Sequence, residues 1–178
     1  SKTSDFNSIL RSIRDSHPDV VFFAGLDAQA AQLVQDLRRL QIRAPLVGIG
    51  GLVGPTFLKL AGAAGEGVSV VEPGLPSYKG PQWSHFQQAW KARYQDEIYL
   101  YAPFAYDAVR VIAAAMREAD SVEPAKVTAS LHRIRYKGIS GTIAFDAQGN
   151  LRDPVFTLYR VSGGRWRVVR SIGNPDRS

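Results

Sequence analysis

The sequence contains no cysteine, no long apolar run and no block of like charge. The absence of cysteine excludes disulfides, thiolate metal sites and cysteine nucleophiles. No apolar stretch approaches the roughly 20 residues that a membrane helix needs, so we expect a chain that is not embedded in a membrane. The polar start Ser1–Asn7 does not have the charged-then-apolar layout of a signal peptide.

The net charge of +6 is spread thinly along the chain. Most of the excess lies after residue 80, where basic residues form only short clusters at 133–137 and 165–170. A nucleic-acid-binding surface is usually signalled by a basic helix or a dense basic stripe. We therefore expect a solvated basic face and no nucleic-acid partner.

Signatures of catalysis, metal binding and nucleotide binding are missing as well. The histidines His17, His85 and His132 have no second ligand at a metal-binding spacing. No Gly-x-Ser-x-Gly nucleophile motif occurs. A dinucleotide loop starting at Gly48 would need glycine at position 53, where Val53 stands. The sequence therefore predicts no catalytic residue, no metal and no cofactor, and we expect that the protein is not an enzyme.

Two short apolar runs, Val20–Ala24 and Leu46–Ile49, each end in a glycine-containing loop that leads into a helical pattern. With a third strand over Gly67–Val71, the first 72 residues predict the order αβαβαβ. In open α/β sheets a ligand binds where strands end and helices begin. The loops Gly25–Ala28 and Gly48–Pro55 are therefore the first candidate binding region.

Residue types predict further local features of this first part. Ser4 or Asp5 is placed to cap the first helix, whose apolar face begins with Phe6. The β-branched and aromatic run Asp19–Ala24 is typical of a strand buried on both faces of a sheet. Asp27 either caps the next helix or orients a ligand, and its position directly before a helical run favours the cap.

The composition changes at Glu72–Pro81, a stretch rich in proline and glycine that predicts a connector and a crossing between domains. Three helices with apolar faces but no strand between them are predicted next, followed by one strand and a hairpin through Gly163-Gly164. The predicted ranges are Pro81–Tyr94, Phe104–Ala119, Pro124–Ile134, Gly141–Phe145, Val155–Val161 and Arg165–Val169. The helical spacing of Trp83, Phe86, Trp90 and Tyr94 favours core packing over an exposed stacking platform.

The order of these segments resembles the type I periplasmic solute-binding proteins, in particular the leucine/isoleucine/valine-binding receptors of ABC transporters. The segments that carry the resemblance begin at Ser4, Pro18, Ala30, Gly48, Ala61, Tyr101 and Gly141 and together cover nearly all 178 residues. The resemblance implies an α/β fold with Rossmann-like parallel sheets and flanking helices in two lobes. Full members are roughly twice as long, so the chain resembles a carboxy-terminal half.

The resemblance also implies how the chain is divided between the lobes. Residues 1–73 and 154–172 correspond to the second lobe. Residues 74–153 correspond to part of the first lobe, with a crossing near residues 72–81. The implied function is that of a periplasmic receptor that traps an amino acid or a related small solute and delivers it to the transporter permease.

The family's ligand-facing positions fall on Leu26, Asp27, Gly50, Gly51 and Tyr101. Amino-acid receptors of this family often carry an aromatic residue at the position of Leu26 and an acidic residue, which pairs with the ligand ammonium, at the position of Gly50. Removing one partner of a buried ion pair costs roughly 3–5 kcal/mol, so an ammonium group buried without a carboxylate would bind more weakly by several kcal/mol. We therefore expect a compact, weakly charged solute or an aromatic or aliphatic acid, bound weakly or not at all by the chain alone.

Tyr106-Asp107, also part of the resemblance, is expected to fix the start of the long helix.

Two other functions are compatible with the sequence. Helices without a covering sheet would expose apolar surface, which predicts a self-associating module, such as a domain-swapped homodimer or a higher oligomer. A flavodoxin-like enzyme is the third possibility, although the phosphate loop and a nucleophile–base pair are missing.

Overall fold

The computed structural model describes residues 7–173, which form two compact units. Unit 1 contains the described residues up to Pro73 together with Phe156–Ile172, and unit 2 contains Gly74–Val155 with Gly173. The predicted capping residues Ser4 and Asp5, and the apolar residue Phe6, lie outside the described part of the chain.

Helices and strands alternate through the first part of the chain, and helices dominate the middle. The elements in chain order are α1 (Asn7–Asp15), β1 (Val21–Ala24), α2 (Asp27–Arg39), β2 (Leu46–Ile49), α3 (Pro55–Ala61), β3 (Ser69–Pro73), α4 (Pro81–Arg93), α5 (Ala102–Ala119), α6 (Pro124–Leu131), β4 (Arg135–Lys137), β5 (Thr142–Ala144), β6 (Phe156–Ser162) and β7 (Arg165–Ile172). A short 3₁₀ turn, Gly62–Gly65, follows α3. The predicted order αβαβαβ for the first 72 residues is confirmed.

Unit 1 is built on a five-stranded mixed sheet with the strand order β1-β2-β3-β6-β7. Strands β1, β2 and β3 are parallel, with Val21 opposite Leu46 and Val47 opposite Ser69. Strand β6 pairs antiparallel with β3 and with β7. The predicted hairpin through the Gly163-Gly164 turn is therefore confirmed. Because the parallel strands end at the same edge, the loops after β1 and β2 start from one side of the sheet.

The core of unit 1 lies between the sheet and the helices α1, α2 and α3. The inward face of α2 carries four side chains that are no more than 4% exposed: Ala30, Leu33, Val34 and Leu37. They pack with Leu10 of α1, Phe57 of α3 and the strand residues Leu46 and Val70. Burying one such leucine or phenylalanine stabilises the fold by about 1.5–3 kcal/mol.

The prediction that the first strand is buried on both faces is wrong. Val21 is 8% exposed, whereas the next residue, Phe22, is 63% exposed. Strand β1 is an edge strand, and Ile49 of β2, which is paired with Ala24, is also 45% exposed. A continuous apolar run is compatible with burial of both sides of a strand but does not require it. Whether both are covered depends on other elements of the fold.

The third strand extends farther than predicted. Pairing with β6 continues through Glu72 and Pro73, which the sequence analysis placed in the connector. Val68, Val70 and Glu72 are all fully buried, so the carboxylate occupies an inward position of the strand. The glycine- and proline-rich stretch therefore begins after the strand, at Gly74.

Unit 2 consists of three helices and a short antiparallel hairpin formed by β4 and β5. Its buried core includes Val111 and Ala115 of α5, Val127 of α6, and Ile134. The third helix is shorter than the predicted range Pro124–Ile134, and β4 was not predicted. Helix α6 ends at Leu131, and the chain turns directly into the hairpin. None of the helices within residues 7–173 has the length and apolar character needed to cross a bilayer.

The aromatic residues of α4, together with Tyr94 directly after it, form a continuous series of ring contacts. Ring centroids are 5.4 Å apart for Trp83–Phe86, 5.8 Å for Phe86–Trp90 and 4.6 Å for Trp90–Tyr94. Phe86 is 7% exposed and also packs on Tyr106 of α5, at 5.1 Å. Phe86 therefore packs in the core, as predicted, whereas Tyr94 at the end of the series is exposed.

Candidate functional site

Two loops meet at the carboxyl edge of the parallel strands in unit 1. The loop after β1 carries Leu26, which is 65% exposed and precedes the first turn of α2. The loop after β2 carries Gly50 and Gly51, whose φ angles are +56° and +78°. A Cβ added at Gly51 would lie 3.8 Å from Leu26 Cδ2, so the two loops are neighbours. Four of the five predicted site residues, Leu26, Asp27, Gly50 and Gly51, are thereby located at one edge.

Asp27 does not have the predicted capping role. The N-cap position of α2 is Leu26, whose side chain makes no capping hydrogen bond, and Asp27 is the first helical residue. The Asp27 Oδ1 atom accepts a hydrogen bond from Ala28 N at 2.8 Å. A carboxylate in the first turn still interacts favourably with the positive end of the helix dipole.

The loop after β2 surrounds the buried carboxylate of Glu72. Glu72 Oε2 accepts a hydrogen bond from Gly51 N at 3.2 Å. Glu72 Oε1 accepts from Leu52 N at 3.1 Å and from Val53 N at 3.3 Å. A buried carboxylate is expensive unless such donors compensate it, and charge-assisted hydrogen bonds are stronger than neutral ones. Glu72 therefore determines the conformation of the loop that carries Gly50 and Gly51.

Glu72 also influences a neighbouring phenol. Burial, and in addition the negative charge of Glu72, raise the pKa of Tyr159 on the adjacent strand above its usual value of 10.0. Glu72 is not among the predicted site residues, because the proline and glycine residues that follow it are typical of a connector. Its two-residue spacing from Val68 and Val70 was the available signal, since alternate residues of a strand face the same side.

The fifth predicted residue, Tyr101, belongs to unit 2. It precedes the first turn of α5 and is 45% exposed, with its ring centroid 6.4 Å from that of Phe104. Asp107 lies inside α5, in its second turn, and does not fix the start of the helix as expected. Its carboxylate accepts hydrogen bonds from Ile139 N at 3.0 Å and from Ser140 N at 2.8 Å, and it holds the loop between β4 and β5.

Comparison with known proteins identifies the family. The family model described as periplasmic binding protein matches residues 1–165. The leucine-, isoleucine-, valine-, threonine- and alanine-binding protein of Pseudomonas aeruginosa is 27% identical over 155 residues, which are 87% of this chain and 41% of that protein. The chain thus spans less than half the length of this curated relative.

Solved structures show the same fold. A leucine-binding protein from Thermotoga maritima superposes with a TM-score of 0.83 at 24% identity, covering 99% of this chain and 50% of that one. An ABC transporter solute-binding protein from R. palustris, solved in complex with benzoate, has a TM-score of 0.69 at 22% identity, covering 99% and 49%. The predicted type I periplasmic binding protein fold is confirmed. The chain belongs to the periplasmic binding protein family.

Proposed function

We propose that the chain forms part of a periplasmic receptor that binds a small solute for an ABC transporter. The observation that carries the proposal is the meeting of Leu26 and Gly51 at the carboxyl edge of a parallel sheet, in a member of this family. Such an edge is where ligands bind in open α/β folds. The role is binding and delivery to a permease, without catalysis.

The two units correspond, in this proposal, to parts of two lobes. Residues 1–73 and 154–172 belong to the second lobe, and residues 74–153 belong to the first. The backbone crosses between them near residues 72–81. The compactness of each unit supports this division. Leu26, Asp27, Gly50 and Gly51 then contribute the solute wall of the second lobe, and Tyr101 contributes to that of the first.

The chemistry of the second-lobe wall favours a solute without an ammonium group. Leu26 is apolar, and Gly50 offers no carboxylate. The nearby acid, Glu72, is fully buried and accepts three backbone N–H groups, so it is not presented to a solute. We infer that the solute is compact and weakly charged, or an aromatic or aliphatic acid. A single wall leaves most of a ligand in water, so this chain alone binds it weakly.

A charge introduced at Gly50 tests this assignment. In the variant Gly50→Glu, leucine affinity should rise by about tenfold relative to benzoate, because the new carboxylate can pair with the ammonium. Binding is measured from amide NMR shifts at residues 26–28 and 50–53 during titration with leucine and with benzoate.

Gly50→Gln is the matched control, since it adds the same bulk and the same strain at positive φ but no charge. A wild-type chain whose shifts at these two loops respond to leucine more strongly than to benzoate would contradict the inferred solute class. Equal responses in Gly50→Glu and Gly50→Gln would show that position 50 does not face the solute.

Self-association is a second candidate function, favoured by apolar side chains that the fold leaves in water. Phe22 and Ile49 are 63% and 45% exposed in unit 1, and Val109 and Ile112 are 68% and 44% exposed on one side of α5 in unit 2. Exposed apolar surface of this kind favours association. A domain-swapped homodimer or a higher oligomer would bury these side chains.

A further inference from the structure

Unit 2 contains a cavity of about 280 Å³ between α4, α5 and the hairpin of β4 and β5. This volume is near the lower end of the roughly 300–1,000 Å³ range of small-molecule sites. None of its lining residues belongs to the loops after β1 and β2. The cavity is thus distinct from the proposed solute wall of unit 1.

The cavity has an excess of positive charge. Arg110 and Lys137 both line it, and neither takes part in an ion pair within residues 7–173. Asp107 supplies the one carboxylate among the lining residues. Its oxygens already accept hydrogen bonds from the N–H groups of Ile139 and Ser140 and from the Ser140 hydroxyl. Asp107 is thus engaged by the loop, and Arg110 and Lys137 still leave the lining with an excess of positive charge for an anionic ligand.

Besides the polar residues Gln82 and His85, the lining contains side chains suited to the apolar part of a small molecule. The side chains of Tyr106 and Tyr136 line the cavity together with Ile139, which is 8% exposed. The Arg110 guanidinium carbon lies 5.5 Å from the centre of the Tyr106 ring. This cation–π contact orients the guanidinium, whose N–H groups match the two oxygens of a carboxylate.

The floor of the cavity is held in place by Asp107 and by a close backbone approach. A Cβ added at Gly138 would collide with the Asp107 carboxylate, so a larger residue there would displace this carboxylate. The hydrogen bonds that Asp107 accepts from the backbone N–H groups of Ile139 and Ser140, and from the Ser140 hydroxyl, then hold these two residues against α5. A site with a preorganised floor loses less conformational freedom when a ligand binds.

We propose that this cavity binds a small organic anion. Its carboxylate pairs with Arg110 and Lys137, and its apolar part packs against Tyr106, Tyr136 and Ile139. The site lies within unit 2, so its occupancy does not depend on the solute wall of unit 1.

Titration of the whole chain with phenylacetate, followed by amide NMR shifts, tests the proposal. Saturable shifts are expected at residues 82–85, 106–110 and 136–139. Arg110→Gln should weaken binding by about tenfold, because hydrogen bonds between charged groups contribute more than neutral ones. Lys91→Gln removes the same charge from an exposed position of α4 outside the cavity, and it should leave the affinity unchanged.

Two further probes separate charge from shape. Phenylacetamide, which has the same apolar part without the charge, should bind at least tenfold more weakly, and inorganic phosphate should also bind more weakly. Equal binding of phenylacetamide would overturn the role of Arg110 and Lys137, and equal binding of phosphate would overturn the role of the tyrosines. Phenylacetate shifts confined to residues 26–28 and 50–53, or no saturable shift at all, would refute the cavity as an anion site.

Discussion

At the scale of single residues, a buried carboxylate holds the loop that carries part of the candidate solute wall. Glu72 is fully buried and joins the strand β3 to the loop after β2 through three N–H donors. Gly50 and Gly51 adopt left-handed conformations in this loop, which glycine accepts at little cost. The geometry of the wall thus depends on an interaction that a solute does not touch.

Replacing Glu72 by glutamine should destabilise the chain by about 1–3 kcal/mol, because an amide N–H₂ group would then face a backbone donor inside the fold. Glu66→Gln is the matched control. Glu66 also accepts two backbone N–H groups, from Gly163 and Gly164, but it is exposed, so water can replace it. Urea unfolding compares the two variants. Equal losses of stability would contradict the importance of burial at Glu72.

At the scale of elements, local periodicity predicted the helices well and the strands less well. The buried face of α2 agrees with its 3.6-residue pattern, because a helix carries its hydrogen bonds within one segment. The three-residue strand β4 was missed because its pairing partner, β5, alone defines it. The C-terminal end of β3 at Pro73 likewise depends on pairing with Phe156 of β6.

The turn that follows β5 provides a pH-dependent test. Hydrogen bonds from the Asn150 side chain and then from its backbone N–H lower the pKa of Asp146 below its usual value of 3.8. A lowered folded-state pKa contributes stability above the unfolded value, and this contribution is lost as the pH falls through the folded-state pKa. Asn150→Ala should raise the pKa of Asp146, as measured by carboxyl ¹³C NMR.

Gln148→Ala is the control for this turn, because Gln148 interacts with Asp146 through its backbone N–H only, at 2.9 Å. The pKa of Asp146 should be the same in Gln148→Ala and in the wild type. An unchanged pKa in Asn150→Ala would show that the side-chain hydrogen bond of Asn150 does not stabilise the carboxylate.

At the scale of the whole molecule, each unit leaves apolar side chains in water. Phe22 in unit 1 and Val109 in unit 2 are both more than 60% exposed. The chain spans about half the length of the family structures that it matches. Self-association is one way to remove this surface from water, at about 25 cal/mol per Å² of apolar area.

Light scattering during size-exclusion chromatography at micromolar concentrations measures the oligomeric state. We expect a dimer or a higher oligomer, and we expect Phe22→Ser or Val109→Ser to shift it towards monomer. Val122→Ser is the matched control, because Val122 is also exposed, at 79%, but lies in the connection between α5 and α6 and not on the apolar side of α5. It should leave the oligomeric state unchanged. A monomeric wild-type chain would rule out the self-associating module.

The sequence by itself determined the order αβαβαβ of the first 72 residues, the family and the two glycine loops after β1 and β2. These features depend on patterns within a few neighbouring residues, such as the helical period of α2 or the glycines at 50 and 51. Only the tertiary structure decided three features: the burial of Glu72, the exposure of one side of β1, and the hydrogen bond from Ile139 N to the Asp107 carboxylate. Each of these depends on groups about 20 to 30 residues apart in the chain, whose meeting is settled by packing and strand pairing rather than by local pattern.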